Sequence, residues 1–276
     1  MEDEYFVDDD GHFAAVFDGH GGGGVSAYLR DNLYGKIEQK LAKKEPHSNN
    51  GKNGHTLSSK IKALREAFDE IDDDVLDKDD LQYQGSTAVA VMVHQDEEQG
   101  NRTLISANLG DSRAILSRRG VAVDLTRDHK PNDEKEKARI LAMGESVEWD
   151  HYCKVYRVRN LSLSRAVGDR FAKPAVSGDV EIKQFPVNDD GDEFVLMASD
   201  GLWDVMSSQD CVDFVNRRLK TIPKHISNEE KIKASYTRRK VMSRLIANEA
   251  LRRGSGDNVC VVIVWLKDIG EMKVLR

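Results

Sequence analysis

The sequence is poor in proline, with five residues in 276, and poorer in cysteine, with three: Cys153, Cys211 and Cys260. These thiols are odd in number, far apart and without a CxxC pair, so they supply neither a disulfide framework nor a zinc site and are expected to be reduced and buried. Long apolar runs are also lacking. The longest, Val259–Leu266, is about a third of what a membrane-spanning helix needs, so no membrane partner is expected. The start, MEDEYFVDDD, has neither the basic opening nor the apolar stretch of a secretory signal, which predicts a protein of the cytoplasm or nucleus. Nor is there an excess of positive charge: 41 basic less 48 acidic residues gives −7, which removes the general electrostatic case for binding nucleic acid.

What is present, 39% hydrophobic and 32% charged residues, is the composition of a globular protein long enough to bury roughly 70–75% of its unfolded surface. Apolar alternation or short apolar runs predict strands at Phe13–Phe17, Ser86–His94, Thr103–Asn108, Arg113–Leu116, Phe194–Ala198 and Asn258–Trp265. Helical spacing marks Val25–Ala42, Leu57–Leu76, Asp133–Met143, Ser208–Leu219 and Glu229–Arg252. Because strands and helices come in runs rather than alternating, the fold class is α+β, with antiparallel sheets packed against helix pairs. The polar stretch Glu45–His55 reads as a loop between two helices, and the acidic run Asp69–Asp80 as a solvated helix end, since it lacks the ligand spacing and glycine of a calcium loop. The basic clusters Arg217–Lys224 and Arg238–Arg244 are spaced like exposed helix faces.

The chemistry begins at Asp18-Gly19-His20-Gly21-Gly22-Gly23-Gly24, between an apolar strand and a helix. Gly19, Gly21 and Gly24 satisfy GxGxxG, so a dinucleotide site has to be weighed. Against it, Asp18 puts a carboxylate where a pyrophosphate would approach, and no strand ending in an acid follows the helix. Alternatively, Asp18 is itself the functional group. Asp200, followed by Gly201, ends another strand, and Asp257, preceded by Gly256, opens a third. One aspartate at a strand end is ordinarily a turn residue. Three beside glycine converge if their strands are neighbours, and converging carboxylates repel unless cations lie between them. Oxygen donors without a His/Cys cluster favour Mg²⁺ or Mn²⁺. Asp204 shares a helical face with Asp200 if Gly201 opens a turn, and Asp128, before His129-Lys130-Pro131, reads equally well as a plain turn residue.

Several stretches together give the sequence a resemblance to the type-2C (PPM) family of metal-dependent protein serine/threonine phosphatases. They are Met1-Glu2-Asp3, Phe17-Asp18-Gly19-His20-Gly21-Gly22, Gly85-Ser86-Thr87-Ala88, Asn108-Leu109-Gly110-Asp111-Ser112-Arg113-Ala114 and Asp128-His129-Lys130-Pro131. With them go Leu163-Ser164-Arg165-Ala166-Val167-Gly168-Asp169, Ala198-Ser199-Asp200-Gly201-Leu202-Trp203-Asp204-Val205 and Gly256-Asp257-Asn258-Val259, all in the family's order. The resemblance implies one catalytic domain over 1–276, a central sandwich of two antiparallel β-sheets flanked by helix pairs, acting on phosphoprotein substrates as a monomer. It implies two tightly bound Mg²⁺ or Mn²⁺ ions and a weaker third. Asp18 bridges the pair, Gly19 offers its carbonyl, Glu2 binds one ion, and Asp200 with Asp257 hold the other. Asp3 orients water, Asp128 and Asp204 join Asp200 at the third ion, and Arg165 stands near the flap with a role toward the substrate. Water activated between the ions attacks phosphorus, and His20, beside the metal ligands, protonates the leaving alkoxide.

The same resemblance implies a phosphate-binding arginine in a strand ahead of Glu2-Asp3. The sequence starts at Met1, so that first strand is expected to be truncated. An active metal-dependent phosphatase is therefore the leading reading. A catalytically weak binding or scaffold module and, remotely, a nicotinamide-dependent oxidoreductase are the alternatives.

Overall fold

The computed structural model describes residues 1–42, 55–96, 98–220 and 227–267, and its architecture follows from strands that are apolar on both faces. One antiparallel sheet runs in the order β1 (Glu4–Val7), β2 (Phe13–Phe17), β5 (Ala88–Gln95), β6 (Arg102–Leu109) and β12 (Glu181–Pro186). The other runs β14 (Val261–Trp265), β13 (Asp192–Ala198), β7 (Arg113–Arg118) and β8 (Val121–Asp124). In β2 every residue is buried, and side chains alternate across a strand, so its two sets serve two cores. Ala14 and Val16 join Val89, Val91 and Leu104 against Leu116, Val195 and Met197 of the facing sheet. Phe13, Ala15 and Phe17 point the other way, into α1 (Gly24–Ala42) and α2 (Leu57–Leu76). Phe194 and Leu196 likewise turn outward onto α5 (Ser208–Lys220) and α6 (Asn228–Arg252). The result is the expected sandwich between two helix pairs.

The helix starts are set by side-chain caps. Thr56 accepts from the Ser59 amide at the head of α2, and Asp133 accepts from the Lys135 and Glu136 amides at the head of α3 (Glu134–Ala142). Ser227 and Glu230 form a reciprocal capping box at α6. Three small elements complete the fold: α4 (Asp200–Trp203), the hairpin of β9 (Glu148–Asp150) with β10 (Val155–Arg157), and a three-stranded sheet of β11 (Val167–Gly168), β4 (Gly85–Ser86) and β3 (Gly19–His20). Among the described residues no helix is long and apolar enough to cross a membrane.

Strand register decides where the functional side chains lie. The start of β1 faces the end of β2, through Glu4 and Phe17, and the end of β2 faces the start of β5, through Val16 and Val89. Ala88 of β5 faces Leu109 at the end of β6. In the second sheet Ala198, the last residue of β13, lies between Arg113, which opens β7, and Val261, which opens β14. The short turn from β6 to β7 joins the two sheets at this same end. Residues just before β1, just after β2, between β6 and β7, just after β13 and just before β14 are thereby gathered at one end of the sandwich.

Some sequence readings need correction. Cys153 is exposed and Cys260 half-buried, leaving only Cys211 buried, although all three are free thiols as expected. The acidic run is not wholly a solvated helix end: Asp72 is buried, accepts from the Gly168 amide at 2.8 Å and pairs with Lys173 at 2.9 Å, tying α2 to the segment after β11. The expected strand Asn258–Trp265 begins three residues later, and the run at 86–94 divides into β4 and β5. Of the loop Glu45–His55, all but His55 lies outside the described residues, as does the end of the Arg217–Lys224 cluster.

Two substitutions test this account by reversible denaturation. Asp72→Ala removes the partner of a nearly buried ammonium and is expected to cost about 2–4 kcal/mol. Gly35→Ala, within α1, meets no atom within 4 Å and is expected to stabilise by about 0.5–1 kcal/mol through helix propensity. A neutral Asp72→Ala, or a destabilising Gly35→Ala, contradicts the packing described.

Candidate active site

Asp18 follows β2 directly, and its backbone is fixed on both sides. Its amide donates to Thr87 Oγ1 at 3.2 Å, and its carbonyl accepts from the Thr87 amide at 2.9 Å and from Ser86 Oγ at 3.1 Å. Thr87 in turn shares a 2.7 Å hydroxyl hydrogen bond with Ser112, in the turn between the sheets. Gly19 is required by crowding: a Cβ there would come within 2.7 Å of both the Glu2 carbonyl and Ser26 Oγ. Ser26 Oγ donates to that carbonyl at 2.5 Å, and the Glu2 amide donates to Asn258 Oδ1 at 3.0 Å. Ser199 Oγ donates to the buried Asp3 at 2.8 Å and accepts from the Cys260 amide at 2.9 Å. The acidic pair Glu2-Asp3 is thus fastened between the ends of both sheets.

Asp3, Asp18, Asp200, Asp204 and Asp257 share one electrostatic field. Burial, followed by the charges of Asp200, Asp3, Asp111 and Asp257, pushes the Asp18 carboxyl up to about 9. Asp200 is pushed up to about 7, chiefly by burial and then by Asp111, with Lys130 pulling the other way. Asp3 and Asp204 are also raised, each first by burial. The acids nevertheless stand apart: among the described residues no three His, Cys, Asp or Glu side chains close on one point as a finished metal cage. The donor set still fits a hard divalent cation, being made of carboxylates and backbone carbonyl oxygen whose mutual repulsion such a charge would relieve.

Two residues absent from the expected site belong to this end of the molecule. Asp111, in the β6–β7 turn and 3% exposed, acts electrostatically on Asp18, Asp200 and Asp204 and is hydrogen-bonded by Lys130. Asp169, fully buried, receives His20 Nε2 at 2.8 and 2.9 Å from its two oxygens. Burial pulls His20 down, but Asp169 outweighs it and the imidazole is raised. Asp169 holds a left-handed backbone with φ 52°, unusual for a residue with a side chain. Sequence reading gave neither a role: Asp111 was quoted only within its motif, and Asp169 lies in the motif where Arg165 drew attention. The remaining signal was Gly110 and Gly168, which precede them with φ +98° and +83°.

Two expected site residues are paired with other side chains of the fold, although the charge of Asp128 also acts on Asp204 and Lys130. Asp128 makes a two-pronged pair with Arg113 at 2.9 and 2.6 Å, and that guanidinium also lies over the Trp203 ring. Arg165 donates to the buried Glu136 at 3.0 and 2.5 Å and to the Asp179 carbonyl at 2.8 Å. Burial pushes Glu136 up, but Arg165, with help from His129 and Arg139, more than reverses this and holds it at about 2. The glycine run that satisfies GxGxxG packs against Tyr83 and Gln84, whose Oε1 accepts from the Gly24 amide at 2.9 Å.

Comparison with known proteins gives a consistent result. The family model described as protein phosphatase 2C matches residues 4–259. A probable protein phosphatase 2C 6 from Oryza sativa subsp. japonica is 35% identical over 271 residues, covering 93% of this chain and 56% of that protein. Protein phosphatase 2C 56 from Arabidopsis thaliana is 32% identical, covering 95% and 60%. The chain therefore spans little more than half the length of these relatives. Among solved structures, a C. elegans sex determining protein superposes with TM-score 0.79 at 28% identity, over 98% of this chain and 62% of that one. A serine-threonine phosphatase 2C from Toxoplasma gondii shares the fold with TM-score 0.70 at 22% identity, over 97% and 90%.

The crowding around His20 yields a test. A Cβ on Gly85 would fall 2.3 Å from Asp169 Oδ2 and 2.5 Å from His20 Nε2, so Gly85→Ala is expected to part this pair. The NMR signals of the His20 ring should shift while far-UV circular dichroism stays that of the parent. An unchanged His20 resonance would mean that the pair does not depend on this close approach.

Proposed function

The chain belongs to the protein phosphatase 2C family, and from that premise we propose that it hydrolyses phosphoserine and phosphothreonine esters in proteins at the acid-lined end of the sandwich. One observation supports the proposal: at the ends of both sheets, burial first and then the charges of Asp200, Asp3, Asp111 and Asp257 push the Asp18 carboxyl up to about 9. Such repulsion is costly unless divalent cations offset it.

Asp18, the Gly19 carbonyl, Glu2, Asp200 and Asp257 are the proposed ligands of two Mg²⁺ or Mn²⁺ ions. For a weaker third we propose Asp200, Asp204 and Asp111. Asp111 is preferred to Asp128 because it is held at one point by the flexible Lys130 and acts on Asp18 and Asp200 as well as Asp204, whereas Asp128 is held at two points by Arg113. When bound, such a centre supplies positive charge to the phosphoryl oxygens and a water ionisable near neutral pH.

The chain's own residues do the rest. Asp3, held by Ser199, is placed to accept a hydrogen bond from water at the ligand edge. His20 has Nε2 committed to Asp169, so the proton available to a leaving alkoxide is the one on Nδ1. The buried Asp169 stabilises the charged imidazole that must form when a proton is taken up again. Arg165, committed to Glu136, fastens the segment after α3 rather than meeting the phosphate.

Turnover of a phosphothreonine peptide with Mn²⁺, with and without chelator, tests the reading. Chelation should abolish activity, and Asp18→Asn should lower kcat at least about a hundredfold. Activity of Asp18→Asn within tenfold of the parent at saturating Mn²⁺ would sink it. His20→Ala and, more mildly, Asp169→Asn should slow phosphothreonine, with roughly 10²–10⁴-fold expected for His20→Ala, but slow an activated aryl phosphate much less. Equal losses on both substrates would remove the proton-donor role.

A further inference from the structure

Among the described residues one lysine is paired with these acids. Lys130 Nζ donates to Asp111 Oδ2, and among the described residues no other lysine or arginine pairs with Asp3, Asp18, Asp111, Asp200, Asp204 or Asp257. The pair is built by the backbone. His129, fully buried next to Lys130, donates its amide to the Gly110 carbonyl at 2.9 Å, and His129 Nδ1 accepts from the Gly110 amide at 3.1 Å. The His129 carbonyl is held in turn by the Ser164 amide at 2.8 Å and Ser164 Oγ at 2.9 Å. The root of Lys130 is therefore locked to the turn that carries Asp111. Its side chain is 36% exposed while Asp111 is 3% exposed, so the ammonium reaches in from the rim on a flexible stem.

We propose that Lys130 is a resident cation of the outer acids: it holds Asp111 until a divalent ion takes that carboxylate, and so sets how much metal the outermost position needs. This rests on the reading that divalent ions bind at this end. A single charge on a flexible stem is the right competitor, because a double charge at the same carboxylate outbids it and the stem can swing toward solvent without disturbing the backbone. Lys130 is thus a positioning residue that exchanges with metal, and Asp111 is the group exchanged.

Calorimetric titration with Mn²⁺, and melting in chelator, test the proposal without any turnover. Lys130→Met should tighten the weakest Mn²⁺ step about tenfold or more and lower the melting temperature in chelator by several degrees. Lys130→Arg, whose rigid fork grips a carboxylate at two points, should keep the melting temperature and weaken that step. This variant also decides the matter if Lys130→Met does not fold. In an Asp111→Asn background the Lys130 substitutions should no longer alter Mn²⁺ binding. Identical Mn²⁺ affinities at every step in parent, Met and Arg variants would overturn the proposal while leaving the metal centre standing. A parent that takes up no Mn²⁺ at all would instead overturn the metal reading itself.

Discussion

Like charge forced together is the constraint around which this molecule is arranged. Carboxylates avoid one another in water, and here the register of two antiparallel sheets overrules that preference. The work of confinement is distributed. Hydrophobic burial on both faces of β2 and β13 fixes the strands, and hydroxyls of Ser26, Ser86, Thr87 and Ser199 fix the short segments beyond their ends. The task of these hydroxyls is to keep backbone amides and carbonyls satisfied at a point where the chain leaves regular structure and cannot count on a ladder partner.

A second charged assembly shows the opposite solution. Glu136, at the head of α3, is as buried as any acid among the described residues, yet it is surrounded by Arg127, Arg139 and Arg165 and is held at about 2. Here the charges are satisfied within the chain, and the product is rigidity: α3, the segment around Ser164 and the strand end at Glu181 are drawn together. The contrast separates acids that serve the fold from acids that are left in conflict for a purpose. Asp72 belongs with Glu136, since it is paired with a base, while Asp128 and Asp111 stand between the two groups, each paired with a base and each acting on Asp204.

The elements best legible in the sequence were those with a strong period or an unbroken apolar run. Helices α1, α2, α5 and α6 were located to within a residue or so, and β2 and β13 were plain. Strands β1, β8 and β12 were missed because edge strands mix polar and apolar side chains: β12, EIKQFP, has no fully buried residue. At the site, the aspartates next to glycine could be read from strand ends alone, whereas Asp111, buried in a turn and quoted only within its motif, could not be singled out without geometry. Asp111 and Asp128 both lie in turns with similar local chemistry. Only the register reveals that one turn bridges the sheets while the other folds back onto Arg113. Asp169 was hidden for a related reason, since its partner His20 is 149 residues away.

The 2.7 Å hydrogen bond between Thr87 and Ser112 crosses from one sheet to the other beside the acids. Asp18 rides on the first sheet and Asp200 on the second, so their separation measures how the two sheets are aligned. The acid-lined end thus resembles the jaw of a caliper whose arms are the sheets, and the threonine–serine bond is one of the ties across it, with Ser199–Asp3 and Glu2–Asn258.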